Sequence, residues 1–197
     1  MKRIFFLLIV TGTAFSANAQ TFGIKGGVNL ANTQTTELDV NRSGDMVIDF
    51  HLGAFANFEL NDIISIQPEL LYSREGSAND DFLNERVRFQ MNFMQVPILV
   101  KLAVADGFTI HLGPQTGFLV SRKLKSDAVT LDIEENVYQN IVFSAVAGAG
   151  LELNEKVGIG GRYNHGLTDW EKDRSEDTRG LGTRGNVVQF YITYSFQ

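Results

Sequence analysis

The chain has 197 residues, enough for one ordinary domain, and carries 17 Lys and Arg against 23 Asp and Glu, a net charge of −6. Such an acidic chain lacks the basic face that nucleic acids require, so we expect no nucleic-acid partner. It has no cysteine, which excludes disulfides, thiolate metal sites and cysteine nucleophiles. No apolar run reaches the roughly 18 residues that a membrane-spanning helix needs, so any passage through a membrane must use strands.

Residues 1–19 have the pattern of an export signal. Two basic residues precede the apolar run Ile4 to Val10, and Ala17-Asn18-Ala19 is a small-residue cleavage pattern. We therefore predict a cleaved signal peptide over residues 1–19 and one domain over residues 20–197. A short buried helix is the less favoured alternative. The residue after the cut is Gln20 rather than Cys, so a lipoprotein anchor is not expected.

The remaining chain alternates apolar and polar residues with a period of two, which is the pattern of strands with one apolar face. The last segment is the clearest, since Val188, Phe190, Ile192, Tyr194 and Phe196 share one face. Eight such segments predict eight strands and no helix. They cover residues 22–30, 48–60, 64–73, 87–104, 108–118, 140–153, 157–164 and 188–196.

One segment changes phase. Its apolar residues are even-numbered from 96 to 104 but odd-numbered in the first half: Val87, Phe89, Met91 and Phe93. We expect a one-residue bulge at residues 95–97, where Pro97 suits an irregular strand. Such a bulge would keep both sets of apolar residues on one face.

The connections alternate strictly between short and long. Asn61-Asp62, Asp106-Gly107 and Asn154-Glu155 predict tight polar turns. A meander with this alternation places every short turn, and both chain termini, at one end of a barrel. We call that end the short-turn end and the opposite one the long-loop end. The predicted long connections are residues 32–45, 75–86, 122–138 and 169–184.

Two closed eight-stranded architectures share this pattern: a soluble lipocalin-like barrel with the apolar face inside, and a membrane barrel with that face outside. The polar face carries charges of both signs, and a Lys or Arg facing lipid at mid-bilayer would cost about 2–4 kcal/mol. Aromatic residues also collect at the segment ends, as in interfacial girdles. We therefore predict an all-β, eight-stranded antiparallel up-and-down transmembrane β-barrel. Its first and last strands must pair, because lipid tolerates no open sheet edge. A soluble periplasmic ligand-binding barrel is the alternative.

Three stretches carry a family resemblance: Phe22-Gly23-Ile24-Lys25-Gly26-Gly27-Val28-Asn29, Gln67-Pro68-Glu69-Leu70-Leu71-Tyr72-Ser73 and Met94-Gln95-Val96-Pro97-Ile98-Leu99-Val100-Lys101. They resemble the PorT-like group of small, porin-like outer-membrane β-barrel proteins. The resemblance implies a location in the cell outer membrane, and we expect periplasmic termini and extracellular long loops. It implies no particular activity. Some members assist protein secretion, a role that cannot be carried over residue by residue.

The aromatic-rich last strand resembles the signal that the barrel-insertion machinery reads. Its aromatic residues are Tyr191, Tyr194 and Phe196, and the single residue Gln197 after the last of them departs from the commonest form of that signal. We expect two partners, the outer-membrane lipid and the insertion machinery. The sequence identifies no other protein partner.

Six polar-face residues are candidates for a cluster inside the barrel: Lys25, Glu69, Lys101, His111, Glu152 and Arg162. A turn at residues 105–107 would set Lys101 opposite His111, and Arg162 would fall opposite Gly148, where a long side chain has room to cross. We expect an ionic and hydrogen-bonded cluster that fills the lumen, because buried charges without partners are costly. A proton or ligand site is the alternative.

We predict a non-enzymatic protein with a structural or interaction role, and no catalytic residue, cofactor or metal ion. The enzymatic alternative is a lipid A-modifying barrel. It would use His165 at the rim, with Ser175 or Asp169 in the following loop, but the spacing of these residues fixes no catalytic triad.

Overall fold

The structure is a computed structural model. It describes residues 20–37, 40–43, 46–80, 86–125, 130–132, 140–168 and 182–196. Within these ranges no helix is long and apolar enough to cross a membrane. The predicted signal peptide over residues 1–19 lies outside the described residues.

The described residues contain ten strands: β1 (Gln20–Glu37), β2 (Val40–Ser43), β3 (Val47–Glu59), β4 (Ile64–Asp80), β5 (Arg86–Ala105), β6 (Phe108–Lys125), β7 (Thr130–Asp132), β8 (Ile141–Glu152), β9 (Val157–Gly166) and β10 (Gly182–Phe196). β2 and β7 are short and pair only with β1 and β6. The other eight form one antiparallel sheet in the order β1-β3-β4-β5-β6-β8-β9-β10. The predicted eight-stranded up-and-down barrel is confirmed.

Pairing between the first and last strands closes the sheet. The β1–β10 ladder runs from the pair Phe22 and Phe196 to the pair Thr36 and Gly182. This ladder gives the backbone groups of both strands internal partners, as a bilayer requires. It also brings the start of β1 and the end of β10 together at the short-turn end.

The apolar residues face outward. One continuous row crosses five strands through paired residues: Leu52, Tyr72, Met94, Phe118 and Ile141. The residues between them along each strand face the lumen, where polar side chains such as Lys25, Asn29 and Gln189 are buried. A soluble barrel would have the opposite arrangement, with the apolar row inside, so that alternative is wrong.

The first half of β5 departs from the expectation. Met91 and Phe93 lie in the lumen, packed with Val142 and Leu119, instead of sharing the lipid-facing side. The register of β5 against β4 shows no shift near residues 95–97. The irregularity lies instead on β6. Asn92 pairs with Ser121 and Phe93 pairs with Leu119, so Val120 is an extra residue on β6. The predicted bulge is therefore wrong. The side chains of Val87 and Phe89 lie outside those described.

The short turns form where they were predicted. Asn61 Oδ1 accepts hydrogen bonds from the backbone N–H groups of Ile63 and Ile64 at 2.9 and 2.8 Å. Asn154 Oδ1 accepts the equivalent pair two turns later, at 2.9 and 2.8 Å. In the middle turn Gly107 has a φ of 68°, a left-handed conformation that glycine adopts without strain.

The strands reach further into the long connections than the sequence pattern predicts. β1 continues to Glu37, β4 to Asp80 and β6 to Lys125. These polar segments are paired with neighbouring strands. In the β4–β5 hairpin, for example, the pairing begins next to the long connection, at Asp80 with Arg86. Hydrophobic alternation ends where the lipid-facing surface ends, but strand pairing continues beyond it.

We predict that Phe93→Ala destabilises the barrel by about 3–5 kcal/mol, because it leaves a cavity in the packed lumen. Phe143→Ala should cost less than half of this, since Phe143 is 50% exposed on the outer face and lipid chains can fill the space. Equilibrium unfolding in urea from lipid vesicles measures both variants. Equal losses would contradict the lumenal position of Phe93.

Candidate functional site in the barrel lumen

A buried carboxylate at the centre of the lumen joins two cations. Glu69 on β4 accepts a hydrogen bond from Lys25 Nζ through Oε1 and one from Arg162 Nη1 through Oε2, the latter at 2.8 Å. Gln67 Nε2 adds a third hydrogen bond to Oε1 at 2.6 Å. All three charged side chains are almost completely buried. We call Lys25, Glu69 and Arg162 the lumen triad.

The triad spans the full width of the barrel. In the order of the eight long strands, β4 and β9 lie four strands apart in either direction, so Glu69 and Arg162 come from opposite walls. Gly148 pairs with Arg162, as predicted, and leaves the space that this long side chain occupies. A Cβ added at Gly148 would lie 2.5 Å from Arg162 Cβ. Glycine at this position is therefore a steric requirement of the crossing.

Neutral amides extend the triad around the wall. Arg162 Nε donates to Gln189 Oε1 at 2.5 Å, and Gln189 Nε2 donates to Asn29 Oδ1 at 2.8 Å. His51 Nδ1 lies 2.7 Å from the same Asn29 oxygen. Because that oxygen can only accept, the Nδ1 of His51 must carry the proton. The imidazole is thereby held in one tautomer.

Asn29 also forms hydrogen bonds at the place where the pairing of β3 with β4 ends. Its Nδ2 lies 2.9 Å from Ser73 Oγ, and 3.1 and 2.7 Å from the backbone carbonyl oxygens of Phe50 and Arg74. Ser73 Oγ donates to Glu75 Oε1 at 3.0 Å. Gln95 Nε2 donates to the same carboxylate oxygen at 2.6 Å. The connected network thus contains side chains from six of the eight barrel strands: Lys25, Asn29, His51, Gln67, Glu69, Ser73, Glu75, Gln95, Arg162 and Gln189.

The lumen changes character toward the long-loop end. There Met91, Phe93 and Val142 form a buried apolar cluster with Leu119 packed against it. We call these four residues the apolar cap. Polar side chains therefore fill the middle of the lumen. Beyond it the apolar cap lies beside the last polar residues of the network, since Phe93 pairs with Ser73 and Met91 with Glu75.

The structure brings together three of the six predicted cluster residues, namely those of the triad. His111 is buried beside it and faces Lys101 in the register, as predicted, but its Nε2 lies 3.5 Å from Tyr191 OH, a long contact. Lys101 and Glu152 lie at the short-turn end, 3.9 Å apart, where the Glu152 side chain is 61% exposed. These three residues line the lumen without joining the triad.

Sequence reasoning missed the amides that complete the network. Asn29, Gln189 and Gln95 all occupy polar-face positions of their strands, so their parity marked them as lumenal. Their side chains are neutral, so a criterion based on charge does not select them. The usable signal was a long amide at an inward position, which needs hydrogen-bond partners once it is buried.

The aromatic residues of β10 divide between the two faces. Tyr194 and Phe196 are exposed on the outer face, in edge-to-face contact with ring centroids 5.7 Å apart. Tyr191 is buried in the lumen, and its ring centroid lies 4.2 Å from Lys25 Nζ. Only two of the three residues named for the insertion signal therefore lie on the surface that faces lipid.

Of the residues of the enzymatic alternative, His165 lies in the described part of the chain. His165 is exposed, and its Nδ1 lies 2.9 Å from Asn186 Oδ1. Its ring stacks on Tyr163 with centroids 6.1 Å apart. Asp169 and Ser175 lie outside the described residues.

Comparison with known proteins agrees with this geometry. A family model described as "Outer membrane protein beta-barrel domain" matches residues 18–171. The chain belongs to this family. It is accordingly a protein of the cell outer membrane, with its apolar face toward lipid. The narrower assignment to the PorT-like group stays a prediction.

Solved structures of other proteins with the same fold as this outer-membrane barrel have very different sequences. Neisserial surface protein A is 13% identical with a TM-score of 0.56, and the match covers 91% of this chain and 100% of that one. Ail, the attachment invasion locus protein of Yersinia pestis, is 12% identical with a TM-score of 0.52 over the same shares of the two chains. At such identities the likeness extends to the fold alone. No curated protein matches this chain.

We predict that Glu69→Gln destabilises the barrel by about 3–5 kcal/mol, because it leaves Lys25 and Arg162 buried beside a neutral amide. Lys101→Met should cost less than about 1 kcal/mol, since its pair with Glu152 is long and partly solvated. Unfolding in urea from vesicles compares the two. The apolar triple variant Lys25→Met, Glu69→Leu, Arg162→Met should recover most of the loss. Equal effects of Glu69→Gln and Lys101→Met would contradict the central role of the triad.

Proposed function

We propose that this protein is a non-enzymatic outer-membrane barrel whose lumen is closed by its own side chains, and that its role is structural or one of interaction through its ends. The observation that carries the proposal is the contact between Glu69 and Arg162, since it joins opposite walls of the barrel. An eight-stranded barrel has an interior that side chains just fill. A bridge between opposite walls therefore leaves little room for a solute path.

The apolar cap supports the same conclusion. On the long-loop side of the lumen triad, the buried side chains of Met91, Phe93 and Val142 occupy part of the lumen that a solute path would need. Toward the short-turn end the lumen instead opens into a polar recess of about 290 Å³, whose inner wall includes Lys25 and Tyr191. The lumen is thus closed on the long-loop side of the triad and open on its short-turn side.

We place the short-turn end, with both termini, in the periplasm and the long loops outside the cell. The insertion machinery would then meet the exposed Tyr194 and Phe196, which lie at the periplasmic end of β10. Interaction partners on the cell surface would contact the long connections. The described contacts of His165 with Asn186 and Tyr163 favour an interfacial role for this histidine over a catalytic one.

Purified protein reconstituted in a planar bilayer should show no large, stable conductance. Because the triad and the apolar cap both close the lumen, Glu69→Ala and Arg162→Ala combined with Phe93→Ala should produce measurable ion current where the parent protein gives none. The single variant Lys101→Met, outside the triad, serves as control and should stay closed. Large conductance of the parent protein would overturn the closed-lumen proposal.

Phe196→Ala should slow assisted folding of the barrel into vesicles that contain purified insertion machinery, because it removes the last outward aromatic ring. Tyr191→Phe should leave that rate unchanged, since its ring faces the lumen. The shift in gel mobility between unboiled and boiled samples follows the folding of both. Equal rates for Phe196→Ala and the parent chain would count against recognition through this residue.

A further inference from the structure

On β4, β5 and β6 the outer wall changes from an apolar to a polar row near the long-loop end. Tyr72, Met94 and Phe118 pair side by side across β4, β5 and β6 and form part of the apolar row. The next row toward the long-loop end is Arg74, Asn92 and Ser121, which also pair side by side. Within it Asn92 is buried and hydrogen-bonded to both neighbours, so Arg74 is the charged group that the row presents. Two residues along a strand correspond to roughly 7 Å, so this step marks the level where lipid chains give way to headgroups.

The guanidinium of Arg74 is fixed at this boundary by three neighbours. Its Nε donates to Asn92 Oδ1 at 3.3 Å and lies 3.7 Å from Asp49 Oδ1. Its Cζ lies 5.0 Å from the ring centroid of Phe50, an outward aromatic residue. Phe50 in turn contacts Tyr72, with ring centroids 6.1 Å apart. These contacts orient the planar group at the edge of the apolar surface.

The bonding edge formed by the two terminal nitrogens of Arg74 has no protein acceptor among the described residues. All of its polar contacts there are made through Nε. The side chain is 31% exposed, so its N–H groups can reach a ligand outside the wall. A fork of parallel N–H donors matches the oxygens of a phosphate in a bidentate manner.

We propose that Arg74 is a binding site for a phosphate of a lipid headgroup in the leaflet at the long-loop end. The aromatic rings of Phe50 and Tyr72 would lie against the chains of the same lipid. Asn92 and Ser121, linked by a hydrogen bond of 2.6 Å, continue the polar row beside it. With the long loops outside the cell, as proposed above, that lipid is a phosphorylated glycolipid of the lipid A class.

The position of the site favours a lipid over a dissolved anion as the ligand. Arg74 stacks on a ring that belongs to the lipid-facing surface, and the row directly below it consists of Tyr72, Met94 and Phe118. A headgroup phosphate reaches this level with its chains already buried along the wall. Apolar contact and charge would then act together.

Native mass spectrometry of the full chain in detergent micelles tests the site with bisphosphorylated lipid A as the probe. The parent protein should bind this lipid at least about tenfold more tightly than Arg74→Gln, the loss expected for a charge-assisted bidentate pair. Lys156→Gln removes the same charge at the exposed short-turn end and should bind as the parent does. Lipid A without phosphates should bind weakly and equally to all three.

Three results would overturn the proposal: equal binding of lipid A by Arg74→Gln and the parent chain, displacement of lipid A by millimolar inorganic phosphate, or tighter binding of phosphatidylglycerol than of lipid A. Unboiled gel mobility verifies that Arg74→Gln is folded. If that variant fails to fold, Arg74→Lys and Phe50→Leu replace it. Both should weaken lipid A binding, since one loses the fork and the other the ring that orients it. The binding is measured in micelles and is independent of whether the lumen conducts.

Discussion

Closure of the sheet is the constraint from which the rest of the molecule follows. In lipid each backbone N–H and C=O needs an internal partner, and the ladder from Phe22 and Phe196 to Thr36 and Gly182 supplies partners for the first and last strands. Eight strands closed in this way enclose a lumen that side chains fill. Polar faces from opposite walls are therefore forced into contact, and residues more than ninety positions apart, such as Glu69 and Arg162, become hydrogen-bond partners.

That forced contact explains the composition of the lumen. A carboxylate or ammonium removed from water is tolerated only when the partner geometry recovers much of the lost hydration. Glu69 meets this requirement by holding Lys25 and Arg162 on separate oxygens. A second acidic residue, Glu75, is linked to the triad through the amides of Gln189 and Asn29 and the hydroxyl of Ser73 rather than by direct contact. The network distributes two acidic and two basic groups along the lumen instead of stacking them at one level.

The sequence predicted those parts of the structure that depend on alternation and on turn position. Knowing the turn at Gly107 was sufficient to set Lys101 opposite His111, and the turn after Glu152 set Gly148 opposite Arg162. Membership of the triad was harder to predict, because period two gives the face of a residue but not its height or its reach across the lumen. His111 and Lys101 have the correct face and still lie apart from Glu69. Likewise, alternation assigns the residues of a strand to two faces but does not state which face contacts water. It could therefore not reveal that Met91 and Phe93 point inward.

The phase change in β5 has a physical origin that alternation alone conceals. From Met94 to Val104 the even-numbered residues are apolar and face lipid, so the odd-numbered ones line the lumen. Nearer the long-loop end the same even positions carry the polar residues Gln90 and Asn92, which are buried and hydrogen-bonded to each other. The apolar residues then belong on the inside, as in a soluble sheet, and Met91 and Phe93 occupy that side as part of the apolar cap. β5 keeps one register against β4 along its whole length. The apolar residues of β5 therefore change from even to odd positions because the environment outside the wall changes, and this change marks the level at which the bilayer ends. Arg74, paired with Asn92, lies at this level, which is where a cation with outward donors would meet headgroup phosphates.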